Sequence, residues 1–307
     1  MRLYDNSRTV HDEAAILADF QQRSQRSYAH HPHSSHAYGE HPRHQYDVFT
    51  CGQPNAPLLV FIHGGYWQWC DKSDFGFIVN APLAAGFDVI LLEYPLTPAA
   101  PFAEVVNSIG LALDFLAKQP EFQHRQVYLT GHSAGGQLSA YWQRHPWLNS
   151  VCAISGIYDL SPLQSTHLND ALCLTSDDIQ DFSPMHFPAI KKPLHLVYGG
   201  KELVELQWQS TQYAHELLEH SNQVSLKELS ECNTTPFWTR CLVKTVIGSH
   251  TWPVLTPINL PSHTPIQTKF TGRMSPKHAA CNCYCITSLK LEAICGASRN
   301  TTPPMPL

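Results

Sequence analysis

Gly131-His132-Ser133-Ala134-Gly135 spells G-x-S-x-G. The pattern sets a serine hydroxyl between two residues that have no side chain. A tight strand-to-helix turn can then lift the hydroxyl into a cleft where a base reaches it. The surroundings fit that geometry: an apolar run, Val127-Tyr128-Leu129-Thr130, precedes the motif, and a helical pattern opens at Ser133. The N-terminus of such a helix turns free N–H groups and the positive end of its dipole toward developing negative charge. A second motif, His63-Gly64-Gly65-Tyr66-Trp67, stands about seventy residues earlier and follows an apolar run of its own. Glycines there let the backbone approach a substrate, so their N–H groups can bind a tetrahedral oxyanion. Ser133 is the candidate nucleophile, and Gly64, Gly65 and Ala134 are the candidate oxyanion donors. Alone, each motif also describes an ordinary glycine-rich turn. In this order and at this distance, the pair points to acyl transfer. Tyr66 and Trp67 either line a substrate pocket or pack beneath the oxyanion loop.

These residues need a scaffold. Leu58-Leu59-Val60-Phe61-Ile62 reads as a buried strand that ends at the His-Gly-Gly motif. Short apolar runs at 89–92, 127–130, 151–154 and 194–198 repeat the pattern, and 224–229 makes a further strand. Between them, Val105, Val106, Ile109, Leu113 and Leu116 recur at helical spacing, which predicts an amphipathic helix over 103–118. Helices are also expected from Ser133 through Trp142 and over 207–220. Strands alternating with helices give an α/β fold: a mainly parallel sheet with helices on both faces. Residues 30–44 hold six histidines, His30, His31, His33, His36, His41 and His44. They lack spaced thiolate or carboxylate partners, so the segment reads as an exposed polar loop and no metal site is assigned.

Four segments together resemble a known family: His63–Gln68 (HGGYWQ), Gly131–Gly136 (GHSAGG), Ser155–Leu160 (SGIYDL) and Tyr4–Val10 (YDNSRTV). They are similar to the α/β-hydrolase kynurenine formamidases, or arylformamidases, from about residue 4 to about residue 229. The resemblance implies hydrolysis of N-formyl-L-kynurenine to kynurenine and formate, in tryptophan catabolism, with no metal or other cofactor. It implies Ser133 as nucleophile and the oxyanion among Gly64, Gly65 and Ala134. It places the acid in the loop after the 194–198 strand, where Glu202 falls at the matching position. Glu205 and Asp159 are its competitors, Asp159 lying one strand too early. Within the same chemistry, a small-ester carboxylesterase is the alternative.

The resemblance also implies a histidine just after the last strand. Here the chain reads Ser230-Glu231-Cys232-Asn233-Thr234-Thr235-Pro236-Phe237, without one. A serine needs a base to attack at neutral pH. His250 is the nearest downstream histidine, His215 and His220 precede the last strand, and His132 sits in the elbow itself. The gap keeps open a non-catalytic hydrolase-fold protein that binds a ligand in the cleft.

Composition changes at the same point. Residues 1–231 carry 24 acidic and 13 basic residues, whereas 232–307 carry one acidic residue, Glu292, and seven basic ones. Six of the ten cysteines lie in this second part, which is dense in threonine and proline. Residues 1–230 are therefore expected to form the hydrolase domain, and 231–307 an atypical, poorly ordered tail: a disordered extension, a small cysteine-rich appendage or, as the abrupt change favours, out-of-frame translation. Cys281, Cys283 and Cys285 form C-x-C-x-C, not the paired spacing of a zinc site. The net charge of −5 argues against a nucleic-acid partner. No apolar run spans a membrane and no signal-like stretch opens the chain, so a cytoplasmic enzyme acting on a small molecule is expected. Oligomeric state is not legible.

Overall fold

Strand β3 (Leu58–Ile62) is apolar at every position and buried at every position. That is the mark of a strand covered on both faces. Around it lies an eight-stranded sheet in the order β1-β2-β4-β3-β5-β6-β7-β8. The remaining strands are β1 (His33–Ala37), β2 (Gln45–Phe49), β4 (Asp88–Leu92), β5 (Val127–His132), β6 (Ser150–Ile154), β7 (Leu194–Gly199) and β8 (Val224–Leu229). From β4 to β8 every pairing is parallel, while β1–β2 and β2–β4 are antiparallel. This computed structural model describes residues 4–10, 12–187, 192–220 and 223–230. The tail expected at 231–307 lies outside the described residues.

Alternation along the strands builds two cores. Leu58, Val60 and Ile62 pack on one face with Val105, Ile109 and Leu113 of α3 (Phe102–Ala117). Leu59 and Phe61 point to the other face, with Phe20 of α1 (Glu13–His30) and Phe75 and Phe77 of the 3-10 segment Lys72–Val79. The remaining helices are α2 (Asn80–Ala84), α4 (Ala134–Tyr141), α5 (Asn169–Leu172), α6 (Ser176–Phe182) and α7 (Val204–Glu219). The strands and helices expected from periodicity fall where expected, within three residues at their ends.

The histidine-rich segment departs from expectation. It is not simply a loop, because residues 33–37 form the edge strand β1. His33 lies opposite Phe49 and His36 opposite Tyr46, each pair stacked with ring centroids 5.1 and 5.3 Å apart. Imidazole counts as polar in a hydropathy pattern, yet here it packs as an aromatic ring against its cross-strand partner. Among the described residues, no three His, Cys, Asp or Glu side chains are grouped to hold a metal ion. No described helix is long and apolar enough to cross a membrane.

Candidate active site

The turn from β5 to α4 holds Ser133 at φ 53° and ψ −116°. A non-glycine residue reaches such a conformation only when its surroundings enforce it. They do. Ser133 N–H donates to the Ile154 carbonyl at 2.8 Å, tying the turn to β6. A side chain at Gly131 would collide with the Gly135 carbonyl, and one at Gly135 with the Ile62 carbonyl. The two motif glycines thus let α4 start directly against β5 and β3. Ala134 is the first residue of α4, and its N–H has no carbonyl within the helix to bond.

The loop after β3 crosses the same point. A Cβ on Gly64 would lie 2.9 Å from the His132 carbonyl oxygen and 3.3 Å from Ser133 Cβ, so this backbone passes directly against the elbow. Gly65 sits at φ +114°, which excludes a side chain without strain. Neither Gly64 N–H nor Gly65 N–H donates to a backbone acceptor within the described residues. His63 is fully buried below the loop. Its Nδ1 is 2.8 Å from the Gly64 carbonyl oxygen and its Nε2 is 2.9 Å from Glu93 Oε1. Trp67 is also fully buried, and its indole N–H donates to Gln137 of α4 at 3.1 Å. Tyr66 is 6 % exposed, and its hydroxyl donates to the Tyr4 carbonyl at 2.9 Å. Of the two readings open for Trp67, packing beneath the loop is the one observed.

On the far side of the elbow, Glu202 follows the end of β7 and is buried. Ser155 Oγ donates to its Oε1 at 2.5 Å, whereas its Oε2 has no hydrogen-bond partner among the described residues. Burial drives the carboxyl up to about 7, against the pull of the Ser155 hydrogen bond. Each competing carboxylate has a partner of its own, although Glu205 Oε2, like Glu202 Oε2, has none among the described residues. Glu205 accepts from Arg8 at 2.8 Å, and Asp159 accepts from both the N–H and the hydroxyl of Ser161.

The BD-FAE family model matches residues 49–201, a stretch that holds both motifs and stops one residue before Glu202. The kynurenine formamidase of Danio rerio is 28 % identical over 211 residues, covering 63 % of this chain and 71 % of that protein. The kynurenine formamidase of Drosophila melanogaster is 31 % identical over 163 residues, covering 48 % of this chain and 54 % of that protein. For the one from Salmo salar the identity is 31 %, over 46 % of this chain and 51 % of that protein. The chain thus spans about half the length of the fly and salmon relatives. A candidate thioesterase from Silicibacter sp. superposes with TM-score 0.71 at 24 % identity, over 80 % of this chain and 97 % of that one. An esterase from Pyrobaculum calidifontis superposes with TM-score 0.60 at 15 % identity, over 73 % and 85 %.

The chain has the α/β-hydrolase fold and is similar in sequence to the kynurenine formamidases. Its relatives are hydrolases of amide and ester bonds, and its fold is theirs. The triad order in this fold is serine, acid, histidine, and the resemblance implies the acid after β7 and the histidine after β8. Glu202 occupies the first place. The second begins at Ser230, and His250 lies outside the described residues. The histidines within reach of description do not fill it. Burial holds the His132 imidazole down at about 3, so it is uncharged near neutrality. His215 is on the exposed face of α7, 3.6 Å from Glu219, and His220 caps the same helix. Sequence reasoning missed Ser155, Glu93 and Arg43. Each lies on an element distant in sequence from the motif it serves, and no spacing rule links them.

Proposed function

We propose that the chain is a serine hydrolase of the arylformamidase type, acting on N-formyl-L-kynurenine to give kynurenine and formate. The observation that carries the reading is the enforced conformation of Ser133 with the Gly64–Gly65 backbone against it. Ser133 Oγ attacks the formyl carbon, and the carbonyl oxygen takes the negative charge. The N–H groups of Gly64, Gly65 and Ala134 receive that oxyanion. Collapse breaks the C–N bond; the aryl amine leaves with a proton, and a formyl ester remains on Ser133. Water then attacks this ester, releasing formate and restoring the hydroxyl. The proton shuttle is a histidine oriented by Glu202, whose free Oε2 is the acceptor for its ring N–H. No histidine follows β8 within the described residues, and His250 is the first downstream candidate to test. No metal or cofactor enters these steps. The names of the relatives support an amide or ester substrate, and the resemblance of the four sequence segments supports the formamide over a short ester.

The test is formate release from N-formyl-L-kynurenine by the purified 307-residue protein, beside its Ser133→Ala variant and a short acyl ester. Turnover that Ser133→Ala abolishes, faster on the formamide than on the ester, is expected. Faster ester cleavage would make it a carboxylesterase. A folded protein with no turnover, and no labelling of Ser133 by a fluorophosphonate, would leave a non-catalytic binding protein.

A further inference from the structure

Beneath the oxyanion loop lies a chain of buried polar groups that the reaction scheme above does not use. Glu93 follows β4 and is 6 % exposed. Its Oε1 faces His63 Nε2 at 2.9 Å, and accepts from Arg43 Nη2 at 2.5 Å and Tyr94 N–H at 3.0 Å. Its Oε2 accepts from Lys72 N–H at 2.9 Å. Burial works against the carboxylate, yet His63, Arg43 and the Lys72 N–H together hold it below the usual range, so it is ionised. Arg43, from the connection between β1 and β2, also donates to the carbonyls of Tyr94 and Cys70 and pairs with Asp71. The His63 ring lies flat on Tyr94, centroids 4.2 Å apart, and Tyr94 Oη donates to the His63 carbonyl at 2.9 Å.

The far end of this chain of contacts is one peptide plane. In a trans peptide the carbonyl and the following N–H point in opposite directions. His63 Nδ1–H donates to the Gly64 carbonyl on the interior side. The Gly65 N–H is therefore turned away from the ring. Two glycines in succession have no side chain to fix that plane, so the fix has to come from elsewhere.

We infer that Glu93 and Arg43 are positioning residues for catalysis: through the His63 ring they hold the Gly64–Gly65 peptide with its N–H aimed at the oxyanion. The inference rests on the proposed serine-hydrolase reading. Without the carboxylate, His63 loses the partner that sets its ring, the Gly64 carbonyl is released, and one oxyanion donor is lost in part of the population. Losing one such donor costs ~10²–10³ in rate. Glutamine keeps an oxygen that can accept from His63, whereas leucine does not.

The experiment compares Glu93→Leu and Glu93→Gln in the full chain. The expected result is a fall in kcat of about 10²-fold in Glu93→Leu with KM within about 3-fold, and recovery of most of that loss in Glu93→Gln. Affinity for a trifluoromethyl ketone, which places an oxyanion on the donors, should fall with kcat, while affinity for kynurenine stays. Equal loss in both variants, or loss confined to thermal stability, would overturn the inference. A crystal structure of Glu93→Leu decides it independently of turnover: an unchanged Gly64–Gly65 plane sinks the relay. If the unsubstituted protein shows no Ser133-dependent reaction while that peptide plane rotates in Glu93→Leu, the proposed activity fails and the positioning role stands.

Discussion

The two sides of the nucleophile are built to different standards. On the oxyanion side, His63 is fully buried and every oxygen of its partner Glu93 is hydrogen-bonded. On the acid side, Glu202 is as deeply buried, but Ser155 is its one side-chain partner and its second oxygen faces none among the described residues. The consequence appears in the two carboxyls. Glu93 is held below its ordinary range, whereas burial carries Glu202 up to about 7. A satisfied buried carboxylate is a fixed part of the scaffold, and an unsatisfied one is a socket. The support of the Gly64–Gly65 loop draws on the ends of β3 and β4, the β1–β2 connection and Lys72, all within the described residues. The acid side leaves a buried carboxylate oxygen without a partner among the described residues.

The largest effect lies between the two sides. Ser133→Ala removes the only group that both serve, and turnover of N-formyl-L-kynurenine should fall by ~10⁴ or more, to what the oxyanion donors alone sustain. Affinity for the product kynurenine, read by equilibrium binding, should be little changed. Next is the oxyanion side itself. Gly65→Ala puts a Cβ against the Trp69 carbonyl at φ +114° and displaces the loop. The expected loss is ~10²–10³ in kcat, measured by initial rates, with KM nearly unaltered. A rise in KM alongside it would mean that the loop grips the ground state as well.

The acid side makes a distinct pH signature. With its carboxyl raised from the ordinary 4.5 to about 7, folded Glu202 keeps a proton that the unfolded chain gives up between those values. Its contribution to stability is therefore full below pH 4.5 and is lost as pH rises to about 7. The loss is on the order of 3 kcal/mol at 1.4 kcal/mol per unit. Urea unfolding at pH 4.5 and pH 7.5 should show this decline in the natural protein and a flatter profile in Glu202→Gln. Ser155→Ala takes away the hydrogen bond that favours the ionised form, so the decline should extend to higher pH. A profile unaltered by either substitution would mean that Glu202 already has a second partner in solution.

Much of this arrangement was legible in the sequence, and the physics explains which part. Five strands and the α3 face follow from apolar periodicity, because burial in a parallel sheet leaves a nearly unbroken apolar run, whereas the partly exposed β8 alternates apolar and polar residues over its first four positions. The elbow and the oxyanion glycines are local motifs, since steric demand at Gly131 and Gly135 acts on neighbours in the chain. Glu202 was placed by resemblance, since nothing in its local sequence separates it from Glu205 three residues on. The Arg43–Glu93–His63 relay was not legible, because it joins residues 30 to 50 positions apart whose types say nothing about pairing. Nor was β1, where stacked imidazoles replace the apolar residues that mark a strand.

The smallest expected effect concerns the N-terminal segment that spans from one side to the other. Tyr4 accepts from Tyr66 of the oxyanion loop through its carbonyl and from Gln209 of α7 through its hydroxyl, while Arg8 pairs with Glu205 at the start of α7. The Arg8 side chain is 40 % exposed and that of Glu205 12 %. A pair so placed is screened by water and contributes roughly 0.2–1 kcal/mol. Arg8→Ala should lower Tm by no more than about 3 °C and leave kcat unchanged. Tyr66→Phe, which strips a buried carbonyl of its donor, should cost somewhat more, about 1–2 kcal/mol. If Arg8→Ala instead lowers kcat, the segment would be coupling the acid side to the oxyanion loop, and the two sides would no longer be independent. A double-mutant cycle of Arg8→Ala with Glu93→Gln reads that coupling directly: additive changes keep the two sides separate, and a coupling above about 0.5 kcal/mol joins them.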